Sequence, residues 1–272
     1  MFRLGIRSIR PSVAAASAVA AAAVGAGVGA SCNDDCIPSL SYGWPQDGAL
    51  SSFDHAAIRR GFQVYRQVCS SCHSIQYISF RNFVGVTHTE EGAKKLAEEF
   101  EVTDAQPNDD GEMFERPAKL FDRYPGPYRN EAEGRAANGG ALPPDLSLMT
   151  KARHGGIDYV FALLTGYADS PAGKDLLPGL YYNPYFAGGA IAMPPPLMDG
   201  QVEYEDGTPA TVTQMAKDVS QFLAWCAEPE HDERKKFGVK AVTVLALGIG
   251  ITAYYKRLRW APVKTRKITY ME

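Results

Sequence analysis

Five consecutive residues, Cys69-Ser70-Ser71-Cys72-His73, constrain what this chain can become more than any other feature. C-x-x-C-H is the pattern of covalent c-type haem attachment. On a helical turn, cysteines three apart face the same way, so both thiols can reach the vinyl groups of one porphyrin. The histidine one residue on can then offer an imidazole nitrogen to the iron. Half a zinc knuckle and a thioredoxin-like redox pair are the competing readings. Zinc needs two further Cys or His at close spacing, and none follows His73 within reach. A thioredoxin motif needs a preceding βαβ pattern, whereas the residues before Cys69 read as a helix. The motif therefore predicts one covalently bound haem c on Cys69, Cys72 and His73.

The charges divide the chain into unlike parts. Residues 1–30 hold Arg3, Arg7 and Arg10 and no acid, while residues 234–272 hold ten Lys or Arg against Glu272. The remaining residues, 31–233, carry 30 Asp or Glu against 15 Lys or Arg, so the body is acidic between basic ends. Three arginines ahead of the Ala/Val/Gly run from Val13 to Ala30 suit a mitochondrial transit peptide with a sorting segment. A bacterial export signal and a retained helix are the alternatives; the alanines and glycines make the run only weakly apolar.

At the other end, Phe237 to Tyr255 are 19 residues whose only charge is Lys240. As a helix they reach about 28 Å, close to the hydrocarbon thickness of a bilayer. Lys240 lies one turn inside, where its amine can reach the headgroups. Lys256, Arg257 and Arg259 end the run, with Tyr254, Tyr255 and Trp260 at interfacial depth. The expected organisation is a presequence over 1–30, a haem domain over 31–233, an anchor over 234–256 and a basic matrix tail over 257–272.

The body reads as mainly α with long loops. Ser51 and Asp54 give an N-terminal capping pattern ahead of Ile58, Phe62, Tyr65 and Val68, which recur at helical spacing into the haem motif. Residues 89–102 read as a short solvated helix, and 107–144 as mostly loop on account of their Pro, Gly and Asn. Helical patterns return near 145–153, 157–167 and 211–226, and Asp206-Gly207 suggests a hairpin between 202–204 and 211–212. A haem plate would organise such loop-rich stretches. Cys226 reads as a small packing residue.

A sixth iron ligand is to be sought among Met113, Met149, Met193, Met198 and Met215, or His55, His88, His154 and His231. Met193 stands out because Pro194, Pro195 and Pro196 forbid a helix after it and hold it on a fixed loop. An ordinary packing methionine is the competing reading. Arg153, before His154-Gly155-Gly156, suits either a haem propionate or the C-terminal end of a helix.

From about Tyr42 to its C-terminus the chain resembles the cytochrome c1 family. The resemblance runs through Arg59–Tyr65, the haem motif, Gly111–Phe114, Leu142–Ser147, Arg153–Gly156 and Asp158–Phe161. It continues through Leu164–Tyr167, Asn183–Phe186, Ala190–Met193, Asp206–Ala210 and Ala227–His231. It implies a cytochrome c-type haem domain with one C-terminal transmembrane helix, a sixth ligand at Met193, and pocket residues Asn138, Pro143, Pro144, Arg153 and Tyr159.

It also implies a place in mitochondrial complex III, beside cytochrome b and the Rieske iron–sulfur subunit. The haem domain would lie in the intermembrane space, anchored in the inner membrane of a dimeric complex. Electrons would pass singly from the Rieske protein to soluble cytochrome c, with quinol chemistry on other subunits and no nucleic acid involved. The acidic run between Thr89 and Glu115, ten acids against Lys94 and Lys95, could attract a basic carrier or dock an accessory subunit. Cys32 and Cys36 fall outside the family pattern: they could form a small disulfide, stay free or leave with the presequence.

Overall fold

The computed structural model describes residues 36–104, 106–107 and 111–268; the expectations for 1–30 and for Cys32 fall outside them. Among these residues seven α-helices dominate: α1 His55–Gln67, α2 Glu90–Glu98, α3 Glu131–Ala137, α4 Met149–Ala152, α5 Gly156–Thr165, α6 Val212–Ala227 and α7 His231–Thr265. Two short antiparallel hairpins complete the ladders. β1 Glu101–Thr103 pairs with β2 Glu115–Pro117, and β3 Tyr181–Tyr182 with β4 Ala190–Ile191. The chain is mainly helical, as its periodicities imply.

Helix α1 begins where expected, but Asp54 caps it, its carboxylate accepting from the Ala56 and Ala57 N–H groups. Its inner face carries Ile58, Gly61, Phe62 and Tyr65 against α6. The phenyl ring of Phe222 on α6 lies 5.7 Å from Phe62 and 5.5 Å from Tyr65. All three side chains are at most 3% exposed, and burying each contributes about 1.5–3 kcal/mol. Gly61 sets how closely the helices approach: a Cβ there would lie 2.1 Å from the Asp218 carbonyl oxygen. Cys226 is buried in this core, as a packing residue should be.

Three expectations need correction. The helix expected over 89–102 ends at Glu98, and 101–103 become strand β1. Nor is α2 wholly solvated: Ala93, Leu96 and Ala97 on one face are buried. The region 107–144 is mostly loop, as expected, with β2 and α3 set in it, and α3 starts on a reciprocal cap. Asn130 accepts from the Glu133 N–H while the Glu133 carboxylate accepts from the Arg129 N–H.

The hairpin at Asp206-Gly207 does not form. The turn is there, with Gly207 at φ +72 and its N–H on the Tyr204 carbonyl. Thr211, however, caps α6 through its hydroxyl on the Gln214 N–H, so no return strand is left.

Helix α7 runs 35 residues without interruption and is long and apolar enough to cross a membrane. Its apolar side chains lie bare along the helix, from Phe237 and Val242 through Leu245, Ile249 and Ile251 to Tyr254. Its first turn is fixed to the body. The Lys235 ammonium donates to the carbonyls of Gln46, Gly48 and Ser51 at 2.6, 2.7 and 2.9 Å. The Asp232 carboxylate accepts from the Phe53 N–H and lies 3.2 Å from His55 Nε2.

Candidate haem-attachment site

Helix α1 passes through Val68 into a 3-10 turn, Cys69–Ser71, which places the attachment motif at the edge of the core. The N–H groups of Cys72 and His73 both bond the Cys69 carbonyl, at 3.1 and 2.8 Å, so the five residues form one tight turn. The buried Tyr65 hydroxyl donates to the His73 carbonyl at 3.0 Å, locking the turn to the helix below. Neither Cys69 nor Cys72 is in a disulfide. Part of the Cys69 surface is open, yet protein atoms ring its sulfur. Burial, and then the neighbouring Cys72, push its thiol up to about 12.

A second segment is stitched alongside. The Leu146 N–H donates to the Ser74 carbonyl at 2.8 Å. Asp145 accepts from the Ser74 hydroxyl and the Gln76 N–H at 2.8 Å each, and the Ser147 hydroxyl accepts from the Tyr77 N–H. This strap brings the Pro144 carbonyl to 2.8 Å from His73 Nδ1. A carbonyl can only accept, so Nδ1 carries the proton and Nε2 keeps its lone pair. Burial lowers the His73 pKa, against weaker opposition from Pro144 and Asp145, which favours the neutral, ligand-competent ring. Two free thiols on one turn beside an oriented neutral imidazole fit a covalently held haem. Among the described residues, no group of three or more His, Cys, Asp or Glu is placed to hold a bare metal ion.

The remaining expected residues fall into separate groups. Tyr159, on α5, is half-buried; burial raises its pKa and the neighbouring Arg153 opposes the shift. Arg153 ends α4 and donates to the Ala152 carbonyl at 3.1 Å, so it does cap a helix while also reaching Tyr159. Met193 follows β4 on a non-helical loop, half-buried, with its carbonyl accepting from the Tyr167 hydroxyl at 3.1 Å.

Asn138 ends α3 and is bound there, its amide donating to the Gly134 carbonyl and the Tyr128 hydroxyl. Pro143 leads into the strap and is half-buried. The structure thus joins His73 to Pro144, Arg153 to Tyr159, and Tyr167 to Met193, while Asn138 stays within its own cap.

The other candidate ligands are variously placed. Met215 is sealed in the core, and Met113 and Met198 stand out in solvent. His55 and His231 both bond Asp232, and His88 lies 2.8 Å from the Thr87 hydroxyl. Two positions lie in segments the resemblance named but were given no role there: Asp145, which organises the strap, and Tyr167. Asp145 had a signal, since a carboxylate after two prolines and two residues before Ser147 is an Asx-turn pattern.

Comparison with known proteins agrees with this geometry. Residues 44–263 match the Cytochrome C1 family. The chain is 62% identical over 232 residues to "Cytochrome c1 1, heme protein, mitochondrial" of Arabidopsis thaliana, covering 85% of this chain and 75% of that protein. It is 57% identical over 231 residues to "Cytochrome c1, heme protein, mitochondrial" of Saccharomyces cerevisiae, covering 85% and 74%. Identity is 58%, with 85% and 80% covered, to the "Cytochrome b-c1 complex catalytic subunit, mitochondrial" of Candida albicans. An oriented His73 on a C-x-x-C-H turn, a bare C-terminal helix and these relatives converge, and the chain belongs to the cytochrome c1 family, whose members bind haem c.

Proposed function

We propose that this chain passes single electrons from a Rieske iron–sulfur protein to soluble cytochrome c, as the electron-transfer subunit of mitochondrial quinol–cytochrome c oxidoreductase. Membership of the family makes it a haem subunit of complex III, and the relatives' names place them in mitochondria. The finer reading adds cytochrome b and the Rieske protein as neighbours in a dimeric complex. It sets α7 in the inner membrane with the haem domain in the intermembrane space.

Cys69 and Cys72 would form the two thioethers, and His73 Nε2 and the Met193 sulfur would be the axial ligands. Asn138, Pro143, Pro144, Arg153 and Tyr159 would line the pocket. Haem c, when bound, supplies a one-electron ferric/ferrous couple, and a thioether ligand raises its potential relative to bis-histidine ligation.

The chain's residues do the rest. Pro144 fixes the tautomer and direction of His73, and the hydrogen bond makes the imidazole a stronger donor. Tyr65 and Asp145 hold the turn and the strap in register around it. The His73–Pro144 hydrogen bond carries the haem assignment, because it puts the proton on Nδ1 and leaves the Nε2 lone pair free.

Replacing both Cys69 and Cys72 by Ser should leave no haem on the acid-acetone-extracted polypeptide. The unaltered chain should keep its haem and, when reduced, resist carbon monoxide. Haem surviving extraction in the double variant would remove Cys69 and Cys72 from the assignment. Ready carbon monoxide binding by the unaltered protein would point instead to five-coordinate iron and a haem enzyme.

A further inference from the structure

Two segments singled out by the resemblance, Leu164–Tyr167 and Asn183–Phe186, have no part in the ligand set, yet the structure ties both to the loop carrying Met193. Asn183 is fully buried and fully engaged. Its amide donates to the Leu163 carbonyl at 2.8 Å, its side-chain oxygen accepts from the Tyr185 N–H at 3.1 Å, and its own N–H bonds the Gly189 carbonyl. Leu163 lies in the last turn of α5, where helix carbonyls lack intrahelical partners. Asn183 therefore docks the β3–β4 hairpin on the end of α5, and that hairpin leads directly into Met193.

Beyond Met193 the chain loses its own means of staying put. Pro194, Pro195 and Pro196 supply no N–H, so three consecutive residues cannot donate a main-chain hydrogen bond. Tyr167, two residues past α5, fills that gap from outside, its hydroxyl donating to the Met193 carbonyl at 3.1 Å.

We propose that Tyr167, backed by Asn183, is a positioning residue that holds the Met193 loop against α5 and so keeps the methionine sulfur on the iron. The proposal rests on the reading that Met193 is the sixth ligand. This part-buried hydrogen bond of ordinary strength then influences how often the loop opens, and with it the access of small ligands to the iron.

The test uses the full chain in its membrane complex, with carbon monoxide as the probe of the reduced protein and a redox titration alongside. Met193→Leu should bind carbon monoxide freely. Tyr167→Phe keeps the ring and removes only the hydroxyl; it should bind about three- to tenfold faster than wild type and titrate at a lower potential. A Tyr167 ring that only packs would leave both readouts at wild-type values in the Phe variant and overturn the proposal, while an opened Met193→Leu keeps the ligand assignment standing. Wild-type behaviour of Met193→Leu overturns the ligand assignment itself. If Tyr167→Phe does not accumulate, Asn183→Ser carries the same test through the other tie. Faster carbon monoxide binding supports the proposal, and an unchanged rate overturns it.

Discussion

The ammonium of Lys235 on α7 donates to the main-chain carbonyl of Ser51 at 2.9 Å, in a loop 184 residues away in the sequence. Gln46 and Gly48 offer their carbonyls to the same ammonium, so the first turn of the apolar helix is clasped by the haem domain rather than hung from it. The point of truncation therefore matters. A chain cut after Lys236 should be a soluble domain that keeps its haem, whereas a cut after His231 also discards Asp232 and Lys235. Losing these charge-assisted bonds should cost about 1–3 kcal/mol in total, a fall of some ~2–10 °C in melting temperature for a domain of this size. Thermal melts of the two fragments, followed by circular dichroism, decide it; equal midpoints would mean that the clasp adds nothing.

Arg60 supports the contact between α1 and α6 from within. Its Nε and Nη2 grip the two oxygens of Asp218 at 2.9 and 3.1 Å, and that carboxylate is wholly buried. Removing one partner strands the other charge. Arg60→Met should destabilise the domain by about 3–5 kcal/mol, leaving Asp218 with the Gln214 amide. Adding Asp218→Met should recover a large part of that loss, because an apolar pair has no charge to desolvate. Denaturant midpoints of the haem domain report both effects, and a double variant as unstable as the single one would mean that the pair contributes beyond charge compensation.

Asp206 makes the outer bond to Arg60 and gives the domain an acid limb. The Thr208 N–H, then the Thr208 hydroxyl and Arg60, hold its carboxyl down at about 2. An unfolded aspartate titrates near 3.9. A pKa lowered by folding adds stability that is complete above about pH 4 and is lost as the pH falls toward 2. Asp206→Asn should flatten the stability profile in that window and leave it unchanged in shape above pH 5. Unfolding curves of both proteins across pH 2–6 give the comparison, and parallel profiles would contradict it.

What the sequence revealed and what it hid follow one physical division. The haem motif, α1 and the apolar run of α7 are local patterns, and Ile58, Phe62 and Tyr65 show their helical period without reference to anything else. β1 and β2 are three residues each, too short for an alternating pattern. They exist only because Glu101 and Thr103 meet Pro117 and Glu115 across an intervening loop. At Asp206-Gly207 the buried alternation of Val202 and Tyr204 imitates a strand, and the competing signal, the Thr211 cap, decides the outcome. The start of α3 was legible in Asn130 and Glu133, but the surrounding prolines and glycines outweighed it. In the site, C-x-x-C-H names its residues by spacing alone. The partner that orients His73 is a backbone carbonyl 71 residues on, which no side-chain pattern records.

The acidic run shows the same division, because ion pairing separates its charges into two classes. Glu90 is paired with Lys94, Glu99 with Arg66, and Asp104 with Arg116, which also holds Asp122. Glu91, Glu98, Glu101 and Glu115 are exposed and make no ion pair among the described residues; of these, Glu98 ends α2 and Glu101 and Glu115 lie on the β1–β2 hairpin. Compensated charges project little field, so Glu98, Glu101 and Glu115 should each contribute more of what a basic electron carrier meets than the paired acids do. Changing all three to Gln should slow bimolecular electron transfer to cytochrome c by about two- to tenfold at low salt, through the encounter rate. With a Debye length of about 8 Å at physiological salt, the difference should shrink as ionic strength rises, while the haem spectrum and potential stay as they were. Stopped-flow rates across a salt series test this directly. Changing Glu90 and Glu99 instead should have the smaller effect, since each already faces a cation. A low-salt rate unaltered by the triple change would show that the hairpin serves another contact and that the carrier docks elsewhere on the acidic body.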